Sequence, residues 1–218
     1  MMHRAAYLLS AFCLWLLIIG RNSEAQSPGV DYYTLKLPDG LPKPAYDFSK
    51  NPLTKQGIAL GRYLFYDAKL SKDSSISCGF CHQQFAAFGH FDHALSHGIM
   101  GRITTRTVPA LFNLIWQKDF MWDGGVNHLE VQPLSPIMDE NEMGMDIKDL
   151  VPRLQANKNY RKMFKAAFGT EEVTSQRMLK ALTQFMATMN SFESRYDSVK
   201  RNEPGVAFTA EEQGGYNL

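Results

Sequence analysis

Cysteine is scarce in this sequence: its 218 residues hold three, Cys13, Cys78 and Cys81. So few thiols, two of them three positions apart, exclude a disulfide framework of the kind that staples small secreted domains. Charge of one sign is missing too. Lys and Arg number 23 against 22 Asp and Glu, a formal net charge of +1 with no long run of either sign. That balance excludes a nucleic-acid groove and a polybasic membrane surface. No stretch alternates apolar and polar residues as a half-buried strand would. What is present, 44% apolar residues with 12% aromatic, is enough to bury the core of one ordinary domain or two small ones.

Only the first residues form a long apolar run. Arg4 precedes an apolar stretch from Ala5 to Ile19, and Ser23-Glu24-Ala25 gives a small-x-small cleavage pattern. Residues 1–25 are therefore predicted to be a signal peptide cleaved after Ala25, with a retained membrane anchor as the alternative. In both cases the rest of the chain is exported. Cleavage removes Cys13 and leaves Cys78 and Cys81 as the mature chain's cysteines. It also removes Arg4, Arg21 and Glu24, which brings the net charge to zero.

Those two cysteines lie in Cys78-Gly79-Phe80-Cys81-His82. C-x-x-C-H is the pattern of covalent haem c attachment: two sulfurs at that spacing reach the two vinyl groups of one porphyrin, and the adjacent imidazole lies beneath the iron. Two rivals stay open at this point. Cys78, Cys81, His90 and His93 form C-x2-C-x8-H-x2-H, four ligands of zinc chemistry, although closer together than in zinc fingers and with His82 left unused. A redox dithiol would need βαβ surroundings, which are not apparent.

Along the chain, residues 26–52 carry Pro38, Pro42, Pro44 and Pro52 and read as an extended Pro-rich arm. A helix is predicted over Leu53 to Tyr66, capped by Thr54 or Asn51, with Leu53, Ile58, Leu60, Leu64 and Phe65 on one face. Gly57 and Gly61 weaken it but admit another backbone or a porphyrin. Thr107 to Trp116 reads as a short apolar helix, and Asp146 opens another that Pro152 enters in its first turns. The clearest periodicity is Thr174 to Phe192, where Met178, Leu179, Leu182, Phe185, Met186, Met189 and Phe192 form a stripe that reads as packed core. The predicted fold class is mainly α, helices joined by long loops around a covalent haem. Residues 208–218 faintly repeat the Leu53 helix, Gly215-x-x-Leu218 matching Gly61-x-x-Leu64.

Four segments in order, Leu60-Gly61-Arg62-Tyr63-Leu64-Phe65-Tyr66-Asp67, Ser77-Cys78-Gly79-Phe80-Cys81-His82, Phe120-Met121-Trp122-Asp123-Gly124-Gly125 and Asn141-Glu142-Met143-Gly144, carry a resemblance. Together they resemble the amino-terminal domain of the bacterial di-haem cytochrome c peroxidase family, which includes the methylamine-utilisation di-haem enzymes. The resemblance implies a cytochrome c-like peroxidatic haem domain over residues 53–205, and over 206–218 the start of a second haem domain whose remainder is missing. It implies a periplasmic oxidoreductase that reduces hydrogen peroxide to water with electrons from a small cytochrome or cupredoxin. His82 would be the proximal iron ligand, Glu142 the distal acid-base residue, Gln132 its pocket partner, and Trp122 would lie between the two haems. His97 falls near a histidine that caps the iron in the resting state of some members. A homodimer is compatible with the resemblance.

Departures bear on these expectations. Thr107 follows Arg106 where some members carry an Asn that helps to bind calcium, which argues against calcium here. Gly125 stands where Arg is common. Two alternatives remain: a mono-haem electron carrier whose iron is closed by His or by one of Met100, Met121, Met138, Met143 and Met145, and a di-haem oxidase of a protein or organic substrate.

Overall fold

In the computed structural model residues 29–218 are described; the expected signal peptide lies outside them. Asp31–Leu218 forms one unit, built of helices and long connections, and its described residues contain isolated β-bridges but no strand. The mainly α expectation holds.

Helix α1 spans Lys55–Tyr66. Thr54 caps it, its hydroxyl accepting from the Gly57 N–H at 2.9 Å and so satisfying one of the unpaired N–H groups of the first turn. Leu60, Leu64 and Phe65 are buried on its inner face, each contributing about 1.5–3 kcal/mol of apolar transfer. The motif that follows winds as a single turn, α2 (Cys78–Cys81), which puts the two thiols on one side. Gly79 is required there, because a Cβ at that position would lie 2.4 Å from the Tyr66 ring of α1.

Helix α3 spans Leu134–Met138 and α4 Ile147–Ala156, the latter capped by Asp146 as expected, with Pro152 in its second turn. Helix α5, Lys158–Phe168, was not anticipated from periodicity. It buries Tyr160 and Phe164, and the Tyr160 hydroxyl donates to Asp67 Oδ2 at 2.7 Å beyond the end of α1. Helix α6 spans Ser175–Met186, with Thr174 as its cap, and buries Met178, Leu179, Leu182, Phe185 and Met186. It ends one and a half turns before the expected Phe192. The Thr188 hydroxyl takes the Phe185 carbonyl and the Asn190 amide takes that of Ala187, while Met189 stays in the core.

Helices α1 and α6 are the most extensively packed pair. Gly61 permits this: its Cβ would stand 1.9 Å from the Ala181 carbonyl oxygen, so the close approach it admits is of backbone. Gln184 of α6 ties the pair, accepting from the Thr54 N–H at 3.0 Å and donating to Asn51 at 2.9 Å. The arm before α1 is largely irregular, with one 3-10 turn at Phe48–Lys50, and is held by the Tyr46 hydroxyl donating to Glu130 at 2.6 Å. Two short helices close the chain, α7 (Arg195–Lys200) and α8 (Ala210–Tyr216). Thr209 and Glu212 form a capping box on α8, and no residue of α8 is buried.

The expected helix from Thr107 to Trp116 does not form. Only Leu114–Trp116 makes a 3-10 turn, entered through Asn113 in the left-handed region at φ 58°. Pro109 explains the difference, since the residue before a proline is driven away from helical geometry, and Val108 is β-branched besides.

Candidate haem site

The turn α2 is stationed against the end of α1, and Cys78 and Cys81 border a cavity. Leu182 and Met186 of α6, Phe65 of α1, Leu111 and Met143 give that cavity an apolar wall. It continues past Cys81, His82, Gln132 and Glu142 into a wider cleft lined by Thr104–Pro109, Met121 and Trp122. An apolar slot with a few convergent polar groups is the form of a cofactor site.

His82 closes α2, its N–H bonded to the Cys78 carbonyl at 2.8 Å. Its ring is buried, which pushes the imidazole down to about 4, so it stays neutral near pH 7. Nδ1 lies 2.7 Å from the Phe88 carbonyl oxygen and donates to it. The lone pair is therefore on Nε2, the nitrogen left to ligate a metal. That carbonyl is delivered by two consecutive residues in the left-handed region, Ala87 at φ 55° and Phe88 at φ 56°, a conformation costing about 1–2 kcal/mol each for residues with a Cβ.

The two thiols are free. Burial pushes the Cys78 thiol up to about 12 and raises that of Cys81, so neither is a thiolate at neutral pH, and a nucleophilic dithiol would need one. The zinc alternative fares no better. Among the described residues no three His, Cys, Asp or Glu side chains are grouped to hold a metal ion. His90 and His93 instead bond to each other, Nε2 to Nε2 at 3.0 Å, and His93 Nε2 meets His97 Nδ1 at 3.2 Å. Two sulfurs on one side of a single turn, a neutral imidazole beside them and an apolar slot beyond fit a covalently held haem.

Glu142 lines the same cavity, and burial, with a smaller contribution from Asp139, raises its carboxyl above the usual range. Gln132 is buried, and its amide donates to the Met121 sulfur at 3.8 Å. His97 also borders the cavity. Trp122 is 63% exposed, lines the wider cleft, and donates from its indole to the Thr107 carbonyl at 2.6 Å. The structure thus gathers Cys78, Cys81, His82, His97, Gln132 and Glu142 about one cavity and sets Trp122 outside it. Among the methionines, Met143 borders the cavity and Met121 the cleft, whereas Met100 and Met138 are exposed. The Phe88 carbonyl is a functional group that sequence reasoning missed, because a backbone atom leaves no mark on residue type. The apolar wall from α6 was legible only as core.

The sequence matches the family profile of the di-haem cytochrome c peroxidases over residues 55–204. The chain belongs to that family. Membership brings with it haem c as cofactor. The methylamine utilization protein MauG of Methylorubrum extorquens is 35% identical over 162 residues, covering 73% of this chain and 44% of that protein. The cytochrome c551 peroxidase of Nitrosomonas europaea is 31% identical over 169 residues, covering 73% and 47%. Among solved structures the chain is similar to a MauG-like protein associated with microbial copper homeostasis, with 32% identity, a TM-score of 0.77, and coverage of 85% of this chain and 54% of that one. The chain spans about half the length of the curated relatives it matches.

Proposed function

We propose that this chain provides the peroxide-reacting haem of an exported peroxidase, with one haem c carried on Cys78 and Cys81. Peroxide reduction consumes two protons and two electrons and yields two water molecules. The bound haem supplies an iron with one exchangeable position. His82, held neutral by burial and oriented by the Phe88 carbonyl, would hold the haem iron through Nε2. Glu142 takes the proton from the near oxygen of the peroxide and returns it to the departing one, which requires a carboxyl whose affinity for protons is raised toward working pH. The observation that carries this reading is Glu142, held in one cavity with the C-x-x-C-H motif and with its carboxyl raised by burial. Gln132, buried beside it, orients the bound peroxide. Electrons would come from a small cytochrome or cupredoxin; a second haem would relay them, and the exposed Trp122 would lie on that path. The export signal expected over residues 1–25 supports a periplasmic setting for the reaction. The test is steady-state oxidation of a reduced small cytochrome by the full-length haem-loaded protein. Rates that rise and saturate with peroxide are expected; peroxide-independent rates refute the reading.

A second reading is favoured by the MauG relatives, whose identity to this chain exceeds that of the cytochrome c551 peroxidase. There the oxidising equivalents leave through the exposed Trp122 to a protein or organic substrate. Mass spectrometry of candidate partners after peroxide treatment separates the two.

A further inference from the structure

One buried titratable group takes no part in the proposed reaction. Tyr160 is fully buried on α5, and its hydroxyl donates to Asp67 Oδ2 at 2.7 Å. Burial, and after it the carboxylate, push this phenol far above its ordinary range, so it does not ionise near neutral pH. It can part with its proton only together with an electron. The proton then passes to the carboxylate oxygen that already accepts it.

Two further tyrosines lead from this pair to the haem-bearing turn. The Tyr63 ring meets that of Tyr160 edge-on, with centroids 5.4 Å apart and planes at 79°. Tyr66 stands three positions after Tyr63, so the two are neighbours on one side of α1. The Tyr66 ring packs on Gly79, where a Cβ would lie 2.4 Å from it, and Gly79 sits in the chain between Cys78 and Cys81. Tyr63 and Tyr66 are each 44% exposed, so the row is open to solvent between its two ends.

We propose that Tyr66, Tyr63 and Tyr160 form an electron-supplying path to the haem on Cys78 and Cys81, with Tyr160 as a redox-active tyrosine and Asp67 as its proton acceptor. This rests on the peroxidase reading and goes beyond it. Hydrogen peroxide is the oxidant: it takes two electrons from the haem group and, with two protons, leaves as two water molecules. When the donor protein is absent, Tyr160 refills one of the two. Its O–H bond breaks, the electron moves through Tyr63 and Tyr66 to the oxidised haem, and the proton moves to Asp67 Oδ2. A later electron from the donor protein enters at the exposed Tyr63 or Tyr66, and the proton returns from Asp67. The path spares the porphyrin its own oxidation when peroxide outruns the donor.

The test uses full-length haem-loaded protein, treated with hydrogen peroxide without donor and frozen within the first turnover for electron paramagnetic resonance. Wild type is expected to give a tyrosyl signal that narrows when ring-deuterated tyrosine is incorporated. Tyr160→Phe is expected to lose it. Asp67→Asn keeps an oxygen for the Lys69 N–H that Asp67 Oδ1 accepts at 2.9 Å, but offers no base, and is expected to lose the signal as well. It carries the decision if Tyr160→Phe does not fold. Tyr66→Phe, at an exposed position, should delay the signal, and Tyr160→Phe and Asp67→Asn should bleach faster under excess peroxide. The absence of a tyrosyl signal in wild type whose haem peroxide does oxidise overturns the proposal, as does a signal unchanged in Tyr160→Phe or Asp67→Asn. An unchanged rise in Tyr66→Phe overturns the route through α1. A Tyr160–Asp67 bond that only holds helices together predicts altered melting and no radical. Failure of the peroxidase reading shows separately, as a haem spectrum that peroxide leaves unaltered while flash-quench oxidation of the haem by a ruthenium photo-oxidant still produces the tyrosyl signal.

Discussion

Replacing Gly61 by alanine tests the packing that supports the site. An alanine Cβ there would lie 1.9 Å from the Ala181 carbonyl oxygen and 2.9 Å from Phe185 Cβ, whereas ordinary contact begins near 3.4 Å. The helices α1 and α6 must part by about 1.5 Å to restore normal contact, and neither atom belongs to the free end of a flexible side chain. Overpacking of this kind costs about 1–3 kcal/mol, and a backbone obstacle puts Gly61→Ala at the upper end. Better helix propensity returns about 1 kcal/mol. The net loss is about 2 kcal/mol, which for a domain of 150–250 residues lowers Tm by about 4–8 °C. Thermal unfolding followed by far-ultraviolet circular dichroism measures it. Gly215→Ala is the control, because nothing lies within 4 Å of a Cβ at that exposed helical position; there the same substitution should stabilise α8 by up to about 1 kcal/mol. A Gly61→Ala protein that melts at or above wild type refutes the backbone-contact argument.

Glu142→Gln should keep its haem content and lower kcat/KM for peroxide by about 10²–10⁴-fold; an unchanged rate removes Glu142 from the chemistry. The same variant should be more stable than wild type at neutral pH, read by denaturant midpoint. Burial raises the folded carboxyl, so its contribution to stability is complete below the ordinary value of 4.5 and is lost as pH rises through the folded one, a loss that Gln does not suffer. Cys78→Ser with Cys81→Ser should leave no haem attached after acid-acetone extraction, measured by pyridine haemochrome; retained haem would mean that attachment is elsewhere. Tyr160→Phe removes the hydroxyl that donates to Asp67 at 2.7 Å and should cost about 1.5–3 kcal/mol, checked by the urea midpoint.

Much of the scaffold was legible because its signals are local. Thr54 before Leu60, Leu64 and Phe65, and Thr174 before Met178, Leu179 and Leu182, announce capped amphipathic helices, and both form. Helix α5 carried similar marks: Asn157 as cap, Tyr160, Met163, Phe164 and Ala167 at helical spacing, and Gly169 in the left-handed region at φ 76°. Lys158, Arg161, Lys162 and Lys165 interrupt that apolar pattern in the linear sequence and all fall on its other face. Thr107 to Trp116 misled for the opposite reason. Its composition is apolar enough for a core helix, but Pro109 and the left-handed Asn113 decide the backbone.

The site was legible only where its chemistry is contiguous. C-x-x-C-H is one turn of chain, and spacing alone puts both sulfurs on one side of it. Glu142 has no such signature, since a lone glutamate in a Gly- and Met-rich loop is ordinarily solvated. Its place is set from far along the chain. Ile99 N–H bonds to the Glu142 carbonyl, Lys72 N–H to that of Met143 at 2.9 Å, and Met145 N–H to that of Ile137 at 2.8 Å. Gly144 takes φ 57° with the Ile99 side chain packed against it at a distance that admits no Cβ. Two distant segments and the preceding helix α3 thus clamp the loop on either side of the carboxyl, while among the described residues the carboxyl itself makes no hydrogen bond that would hold it ionised. A loop fixed by its backbone leaves the side chain free to change protonation without moving the scaffold, which is what an acid-base group in a preorganised pocket requires.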